Sequence, residues 1–114
     1  KAGIRNNQPI SHVDIYPSLC DFAGIPKPSH LEGRSILPLL KDSKAKRKVA
    51  FLSYGPENTA AQTERYRYLR YEDGSEELYD HKNDPHEWKN LSGNTEYLAI
   101  KKELRSRVLS FQRD

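Results

Sequence analysis

The chain lacks methionine, has a single cysteine and is poor in hydrophobic residues, which make up 35% of its 114 residues. One cysteine excludes an internal disulfide and gives no zinc-binding pattern. Cys20 lies in an apolar helical stretch, which favours a small buried side chain over a nucleophile. No apolar run approaches the ~18 residues of a membrane span, and no secretory hydrophobic region is present.

The low hydrophobic content limits the core that this chain can form. Ordering a chain of ~100 residues costs on the order of 100–200 kcal/mol, which apolar burial must offset. A chain of 114 residues has room for one small domain. Because the core is lean and the chain does not begin with methionine, we expect a piece of a longer protein that packs on a larger domain.

The charge balance is only weakly basic, with 19 Lys and Arg against 16 Asp and Glu and a net charge of +3. Much of the excess lies in the basic loop Lys44–Lys48 and on the last predicted helix. For both segments, a solvated surface is favoured over a polyanion contact. A free-standing polyanion-binding module stays open as an alternative, and its mark is salt-dependent binding to heparin or nucleic acid.

The clearest local pattern covers segment 65–80. Residues Arg65–Glu72 alternate aromatic or aliphatic side chains with charged ones, which predicts a strand. Asp73-Gly74 predicts a two-residue type I′ turn, because that turn needs positive φ at both central positions. Glu76–Asp80 then returns as the partner strand. A two-residue loop sets these complementary cross-strand pairs: Leu69 with Leu78, Tyr68 with Tyr79, Arg70 with Glu77 and Arg67 with Asp80.

Helices are predicted on both sides of this hairpin. Asp14 is the N-cap of the first helix, and Gly24 is its C-terminal stop. Ser35 caps a short second helix that ends near Asp42, and Asn94 caps the last helix. The apolar positions at helical spacing are Ile15, Leu19, Phe22 and Ala23 in the first helix, and Tyr97, Ile100, Leu104, Val108 and Phe111 in the last.

Further strands are predicted ahead of the hairpin. Val49–Tyr54 has the apolar character of a buried strand, and Gly55–Asn58 breaks it into a loop. Thr59–Thr63 leads into the hairpin as another short strand. Beyond the hairpin, Trp88 and Leu91 are apolar anchors that fold the exit back onto the sheet.

An ordered series of short motifs resembles the type I sulfatases, most closely their bacterial, iduronate-sulfatase-like branch. The series is similar to the C-terminal signature of that family, and the resemblance runs from about Pro9 to Ser92. The motifs are His12–Leu19, Ala23–Ile25, Leu31–Leu40, Thr63–Tyr68, Asp73-Gly74, Glu77–Asp80, Asp84-Pro85, Glu87-Trp88 and Asn90-Leu91.

The resemblance implies an α+β fold, in which a small antiparallel sheet with packed helices forms the C-terminal subdomain of an alkaline-phosphatase-like α/β sulfatase. The predicted elements divide this single subdomain, 1–114, into a lead-in and two helices (1–43), the sheet with its hairpin (49–91) and the C-terminal helix (94–112). The implied parent hydrolyses sulfate esters on a sulfated polysaccharide. The alternative within the superfamily is a phosphonate or phosphate monoester hydrolase.

The catalytic groups of the resembling enzymes are expected to lie outside this chain. Their nucleophile is a formylglycine made within a Cys/Ser-x-Pro-x-Arg motif, and Cys20 is followed by neither proline nor arginine at those positions. Their calcium ion is held by Asp and Asn oxygens, as a hard cation prefers. The histidines here show no metal-ligand spacing: His12, His30, His81 and His86. We therefore expect no catalytic residue, metal ligand or cofactor in this chain, while the parent uses formylglycine and calcium.

One stretch is expected to border the substrate cleft. In the resembling enzymes, the loop before the hairpin reads Gly-Pro-x-Asn-His-x-x-Arg-Thr-Glu. Here Gly55–Asn58 and Thr63-Glu64 match, but Thr59 replaces the histidine and Gln62 replaces the arginine. The candidates for contact with the substrate rim are therefore neutral hydrogen-bonding groups: Asn58, Thr59 and Gln62.

The expected partners follow from the same resemblance. They are the N-terminal catalytic domain of the same protein and, in the parent, the sulfated substrate; neither nucleic acid nor a membrane is expected. Trp88, Leu91, Phe22 and the loop around Asn58 are expected to adjoin the catalytic domain and to leave apolar surface open here. A periplasmic or secreted parent is implied, with its targeting signal outside this chain.

Overall fold

In the computed structural model, which describes residue 3 and residues 5–112, the polypeptide divides into two units, Lys1–Lys48 and Val49–Asp114. The first unit begins its ordered structure with a 3₁₀ turn, His12–Asp14, which runs into helix α1, Ile15–Ala23. Gly24 ends α1 with φ of 67°, as predicted, because glycine adopts the left-handed conformation without a steric penalty. Helix α2, Leu37–Lys41, is short and ends at Asp42, also as predicted.

A buried ion pair forms the centre of the first unit. Asp14 is 1% exposed and accepts two hydrogen bonds from the Arg47 guanidinium, at 2.6 and 2.9 Å. It also accepts the backbone N–H groups of Ser11 (2.7 Å) and Arg34 (2.8 Å). Burial alone would raise the pKa of Asp14, but these hydrogen bonds hold it below its ordinary value. The prediction of a wholly solvated basic loop is therefore wrong at Arg47.

Helix α1 buries a side of small residues rather than its large apolar side chains. Pro17, Ser18 and Cys20 are buried, which confirms the prediction for the cysteine. The predicted apolar positions Leu19 and Phe22 lie open instead, at 59% and 58% exposure. The exposed apolar face of α1 and its flanks comprises Val13, Ile15, Tyr16, Leu19, Phe22 and Ile25.

The second unit is a four-stranded antiparallel sheet in the order β1-β2-β3-β4. Its strands are β1 (Ala50–Tyr54), β2 (Asn58–Gln62), β3 (Tyr66–Arg70) and β4 (Glu76–Asp80). A 3₁₀ turn, Thr95–Tyr97, precedes helix α3, Leu98–Phe111. The Asn94 carboxamide oxygen accepts the Glu96 N–H at 3.0 Å, which confirms the predicted cap. Among the described residues, no helix is long and apolar enough to cross a membrane.

The predicted register of the β3–β4 hairpin is wrong by one residue. The Tyr71 N–H donates to the Ser75 carbonyl and the Gly74 N–H to the Tyr71 carbonyl, each at 3.0 Å, so the loop comprises residues 72–74. Gly74 has φ of 81°, whereas Asp73 is not in the positive-φ region. This is a type I turn followed by a left-handed glycine, not a type I′ turn. Tyr68 therefore pairs with Leu78.

Burial explains why the three-residue loop is favoured. The observed register places Tyr68 and Leu78, both 0% exposed, opposite each other on the face that α3 covers. A slip of one residue would move one of these side chains to the other face. The ion pairs also differ from the predicted ones. Arg65 rather than Arg67 binds Asp80, with hydrogen bonds of 2.7 and 2.6 Å. These bonds lower the pKa of Asp80.

Helix α3 packs on the sheet through the stripe that its spacing predicts. Leu104 and Val108 are buried, and Phe111 stacks on Phe51 with ring centroids 4.4 Å apart. The buried core comprises Ala61, Tyr68, Leu78, Leu91, Leu104 and Val108. Partly buried hydrophobic residues pack around it: Val49, Phe51, Tyr66, Tyr97 and Ile100.

The segment after β4 folds back along the edge of that strand. The Leu91 N–H donates to the Leu78 carbonyl at 2.8 Å, and the Asn90 carboxamide oxygen accepts the Leu78 N–H at 3.1 Å. Leu91 is buried in the core, so it anchors the exit as predicted but offers no surface to another domain. Trp88, the second predicted anchor, is instead 86% exposed.

Candidate functional site

The residues predicted to contact the substrate rim lie on strand β2 rather than on a loop. Residues 55–57 alone close the β1–β2 hairpin, because Tyr54 already pairs with Asn58. Side chains alternate along a strand, so Asn58 and Gln62 lie on one face and Thr59 lies on the other. We call the face opposite α3 the outer face; it carries Asn58, Ala60, Gln62, Arg67, Leu69, Tyr71, Glu77 and Tyr79.

Thr59 belongs to the packing of α3. It is buried, and its hydroxyl oxygen accepts a hydrogen bond from the Gln112 amide at 3.1 Å. The Ser53 hydroxyl lies 3.4 Å from the same oxygen. Among the predicted rim residues, the structure therefore gives Thr59 a packing role on the face away from Asn58 and Gln62.

Asn58 lies beside a depression of about 470 Å³ on the outer face. Its carboxamide oxygen accepts the Glu72 N–H at 3.2 Å, which ties β2 to the β3–β4 turn. The depression combines aliphatic, aromatic, amide and guanidinium groups, among them Leu52, Tyr54, Asn58, Arg67, Leu69 and Tyr71. Such a surface can contact both the apolar and the hydrogen-bonding parts of a polar ligand.

Gln62 lies within a network of polar side chains on the outer face. Its amide nitrogen is 3.4 Å from His81 Nδ1, and His81 Nε2 is 2.7 Å from the Glu87 carboxylate. Arg67 donates to both oxygens of Glu87, each at 3.3 Å. The network therefore joins β2, β3 and the segment that follows β4.

The backbone at Glu87 is held in an unusual conformation. Its φ is 58°, the one positive value at a non-glycine residue within the described part of the chain. The left-handed region costs such a residue about 1–2 kcal/mol, so surrounding contacts must maintain it. The bonds from Arg67 and His81 supply that support. The segment around Glu87 is thereby fixed relative to the outer face.

The phenols of this face remain neutral over the physiological range. Burial and a hydrogen bond to Glu77 raise the pKa of Tyr79 to about 12. Burial also raises the pKa of Tyr71. The Tyr79 hydroxyl donates to the Glu77 carboxylate at 3.0 Å. Both tyrosines can therefore act as hydrogen-bonding groups but not as anions.

Several acidic residues and histidines make structural contacts in the turns. Among the described residues, no group of three or more His, Cys, Asp or Glu side chains could hold a metal ion. Asp73 accepts the Ser75 N–H at 2.8 Å and Asp84 accepts the Lys89 N–H at 2.9 Å. His86 stacks on Trp88. These side chains therefore stabilise the turns that carry them.

The sequence prediction missed the roles of Arg67, His81 and Glu87. No motif spacing indicates this network, because its members meet only through the β3–β4 register and the left-handed backbone at Glu87. The length of the β3–β4 loop was the available signal. Predicting three residues for this loop would have placed Arg67 on the outer face, together with Leu69.

Comparison with known proteins relates the whole chain to one family. The sequence model described as "N-sulphoglucosamine sulphohydrolase, C-terminal" matches residues 1–114. A sulfatase of Formosa agariphila is 34% identical over 96 residues, which cover 83% of this chain and 19% of that protein. A delta 4,5-hexuronate-2-O-sulfatase of Bacteroides thetaiotaomicron is 34% identical over 118 residues, covering 90% and 24%. The chain thus spans about a fifth to a quarter of these relatives' length.

Solved structures share the fold over a similar part of their length. A protein in complex with its substrate D-glucosamine-2-N,6-O-disulfate superposes with a TM-score of 0.70 at 30% identity, covering 88% of this chain and 23% of that one. The phosphonate monoester hydrolase of Agrobacterium radiobacter superposes with a TM-score of 0.66 at 25% identity, covering 88% and 24%. The sheet and helices therefore match the C-terminal subdomain of alkaline-phosphatase-like enzymes, as the α+β prediction requires.

Proposed function

The chain belongs to the N-sulphoglucosamine sulphohydrolase C-terminal family, and from this membership we propose that it is the C-terminal domain of a sulfatase that acts on sulfated polysaccharide. One observation carries the proposal: the family match spans residues 1–114, while the sulfatase relatives are several times longer. The chemistry then resides in a preceding catalytic domain. The role of this chain is to support that domain and to border its substrate cleft.

The proposed substrate class rests on the relatives. They include a delta 4,5-hexuronate-2-O-sulfatase and a protein solved in complex with D-glucosamine-2-N,6-O-disulfate. We assign the formylglycine and the calcium ion to the preceding domain, because Cys20 lacks the surrounding motif. The parent is proposed to be periplasmic or secreted, where such polysaccharides are encountered.

Asn58 and Gln62 remain the proposed rim contacts, with Thr59 as a group that positions β2 from the other face. The two amides lie near Arg67, which pairs with Gln62 across the strands and is bonded to Glu87. A sugar would therefore meet two neutral amide groups beside a guanidinium whose charge Glu87 offsets. The shared face of the two amides supports the rim proposal.

A second candidate is a phosphonate monoester hydrolase, which the structural match to the Agrobacterium radiobacter enzyme favours. The nucleophile motif in the preceding residues would distinguish it from a sulfatase. A free-standing polyanion module is disfavoured because several of its basic groups have partners within the chain. Arg47 binds Asp14, Lys101 and Arg105 bind Glu76, and Arg107 binds Glu103.

The exposed apolar face of α1 supports the proposed docking role. Its members are 50–59% exposed, and contiguous apolar surface of this kind usually marks an interface. We propose that the catalytic domain packs on this face in the parent. The buried Asp14–Arg47 pair then keeps the helix in place beneath it.

Docking can be tested with the 114-residue chain and the separately prepared catalytic domain. We expect the chain alone to self-associate, and the added catalytic domain to raise its melting temperature, because a partner that binds only the folded form stabilises it. Leu19→Glu should weaken this binding by at least about tenfold, since it places a charge within the apolar contact. Sedimentation and thermal melting give both quantities.

Leu98→Glu is the matched control, because Leu98 is another exposed helical leucine but lies in the second unit. It should leave binding unchanged. A monomeric chain that is indifferent to the catalytic domain would contradict the proposal. An equal loss of binding in the two variants would contradict the assignment of the interface to α1.

A further inference from the structure

The tryptophan of this chain is presented to solvent. Trp88 is its single tryptophan and is 86% exposed. The His86 ring stacks beside it, with centroids 5.2 Å apart and planes inclined by 25°. An indole normally buries most of its large apolar surface, so this exposure needs an explanation.

The pair is held in place by the loop that carries it. Glu87, between the two rings, has the left-handed backbone conformation and is fixed by Arg67 and His81. At the other end of the loop, the Lys89 N–H donates to the Asp84 carboxylate at 2.9 Å. The loop is therefore tied down on both sides of Trp88. Preorganisation of this kind lowers the entropy cost of binding a ligand.

Some charged side chains of the loop are bonded to other residues of this chain, and others face solvent. The carboxylates of Asp84 and Glu87 are engaged in the bonds just described. Lys82 and Lys89 are exposed, and in the described part of the chain their ammonium groups form no ion pair. The loop therefore presents an aromatic pair and two exposed lysines to solvent.

We propose that the His86–Trp88 pair, with Lys82 and Lys89, is a binding subsite for a sulfated sugar unit. The C–H groups on one face of a sugar ring would pack on the indole, whose π-face is electron-rich. A sulfate group would accept charge-assisted hydrogen bonds from a lysine. The subsite rests on the proposed function for its substrate class, and it would hold a polysaccharide outside the reacting unit.

A protein partner fits this surface less well. One exposed indole and its neighbour offer far less than the ~800 Å² that each side of a stable interface buries. A hydrated anionic ligand needs no such area and can pair with the Lys82 and Lys89 ammonium groups. Contact with the preceding catalytic domain, the expectation from the sequence, becomes an outcome of the test.

The single tryptophan makes the test direct. A heparin tetrasaccharide titrated into the 114-residue chain should change the Trp88 fluorescence in a saturable way, and its fully desulfated counterpart should bind at least about tenfold more weakly. By calorimetry, Trp88→Ala should weaken binding of the tetrasaccharide by about tenfold. Leu98→Ala is the control, because Leu98 is another exposed large apolar residue of the second unit but lies outside both proposed sugar contacts, and it should have no effect.

Three kinds of result would overturn the subsite. The first is absence of binding, or equal losses in the Trp88 and Leu98 variants. The second is equally tight binding of tripolyphosphate, which would show attraction by charge alone. The third comes from a fluorotryptophan-labelled chain: a shift of its fluorine resonance on adding unlabelled catalytic domain without sugar would place Trp88 in a protein interface. Docking through α1 can succeed in each case, so failure of the subsite and failure of the proposed function are distinguishable.

Discussion

Arg47→Ala should unfold the first unit of the chain locally. The change removes both guanidinium bonds to Asp14, a carboxylate that is 1% exposed. Removing one partner of a buried ion pair costs about 3–5 kcal/mol, because the remaining charge is left without compensation. The backbone N–H groups of Ser11 and Arg34 can remain bonded to Asp14 but cannot neutralise it. A unit with so small a core has little stability in reserve.

Amide hydrogen exchange measures this effect locally. Protection of the Arg34 amide and of the α1 amides should be lost in the variant. Lys48→Ala removes an exposed cation nearby and should leave protection unchanged. Retained protection in Arg47→Ala would contradict the account of the buried pair.

Acid should weaken the Asp14–Arg47 ion pair and so destabilise the first unit. The pKa of Asp14 in the folded chain lies below its ordinary value of 3.8. Its contribution is therefore fully present above that value and is lost as the pH falls through the lowered pKa.

Gly33→Ala should destabilise the first unit by about 3 kcal/mol, at the upper end of the cost of overpacking. A Cβ at this position would overlap the Val13 carbonyl group and would lie 2.9 Å from the Asp14 backbone nitrogen. Both neighbours are main chain, so no side-chain rotation can relieve the overlap. Thermal melting, with amide exchange to assign the unit, measures the loss.

Gly93→Ala is the control for that change, because a Cβ there would meet no atom within 4 Å. Its melting temperature should match that of the natural chain. Equal melting temperatures of the Gly33 and Gly93 variants would mean that the segment around Gly33 does not lie against Val13 as described.

The elements that were predicted correctly from the sequence are those that depend on interactions between nearby residues. Gly24 ends α1 because glycine tolerates positive φ, and Asn94 precedes α3 with its side chain bonded to the Glu96 N–H. The apolar stripe of α3 lies on its buried side. Each of these features depends on residues within a few positions of one another.

The hairpin register cannot be predicted from such local features. Asp73-Gly74 is compatible with a two-residue or a three-residue loop, and cross-strand pairs differ by only about 0.2–1 kcal/mol each. The choice depends on burying Tyr68 and Leu78 together beneath α3, which is a tertiary effect. Local pairing could not reveal it.

The candidate site was only partly predictable for the same reason. Asn58 and Gln62 share a face because β2 begins one residue earlier than expected, which separates them from Thr59. Arg47 and Asp14 are 33 positions apart, and no periodic pattern relates them. The exposure of Trp88 depends on the backbone at Glu87, whose conformation no residue preference indicates.

The central claim is that this chain supports a sulfatase without carrying its chemistry, and sulfate release is its most direct test. The proposed longer sulfatase that contains this chain and the 114-residue chain itself would each be given an aryl sulfate and a sulfated uronate disaccharide, with and without calcium. We expect sulfate release by the longer protein and none by the chain alone. The claim is contradicted by turnover that copurifies with the chain alone, or by a parent that cleaves phosphonate monoesters but no sulfate ester.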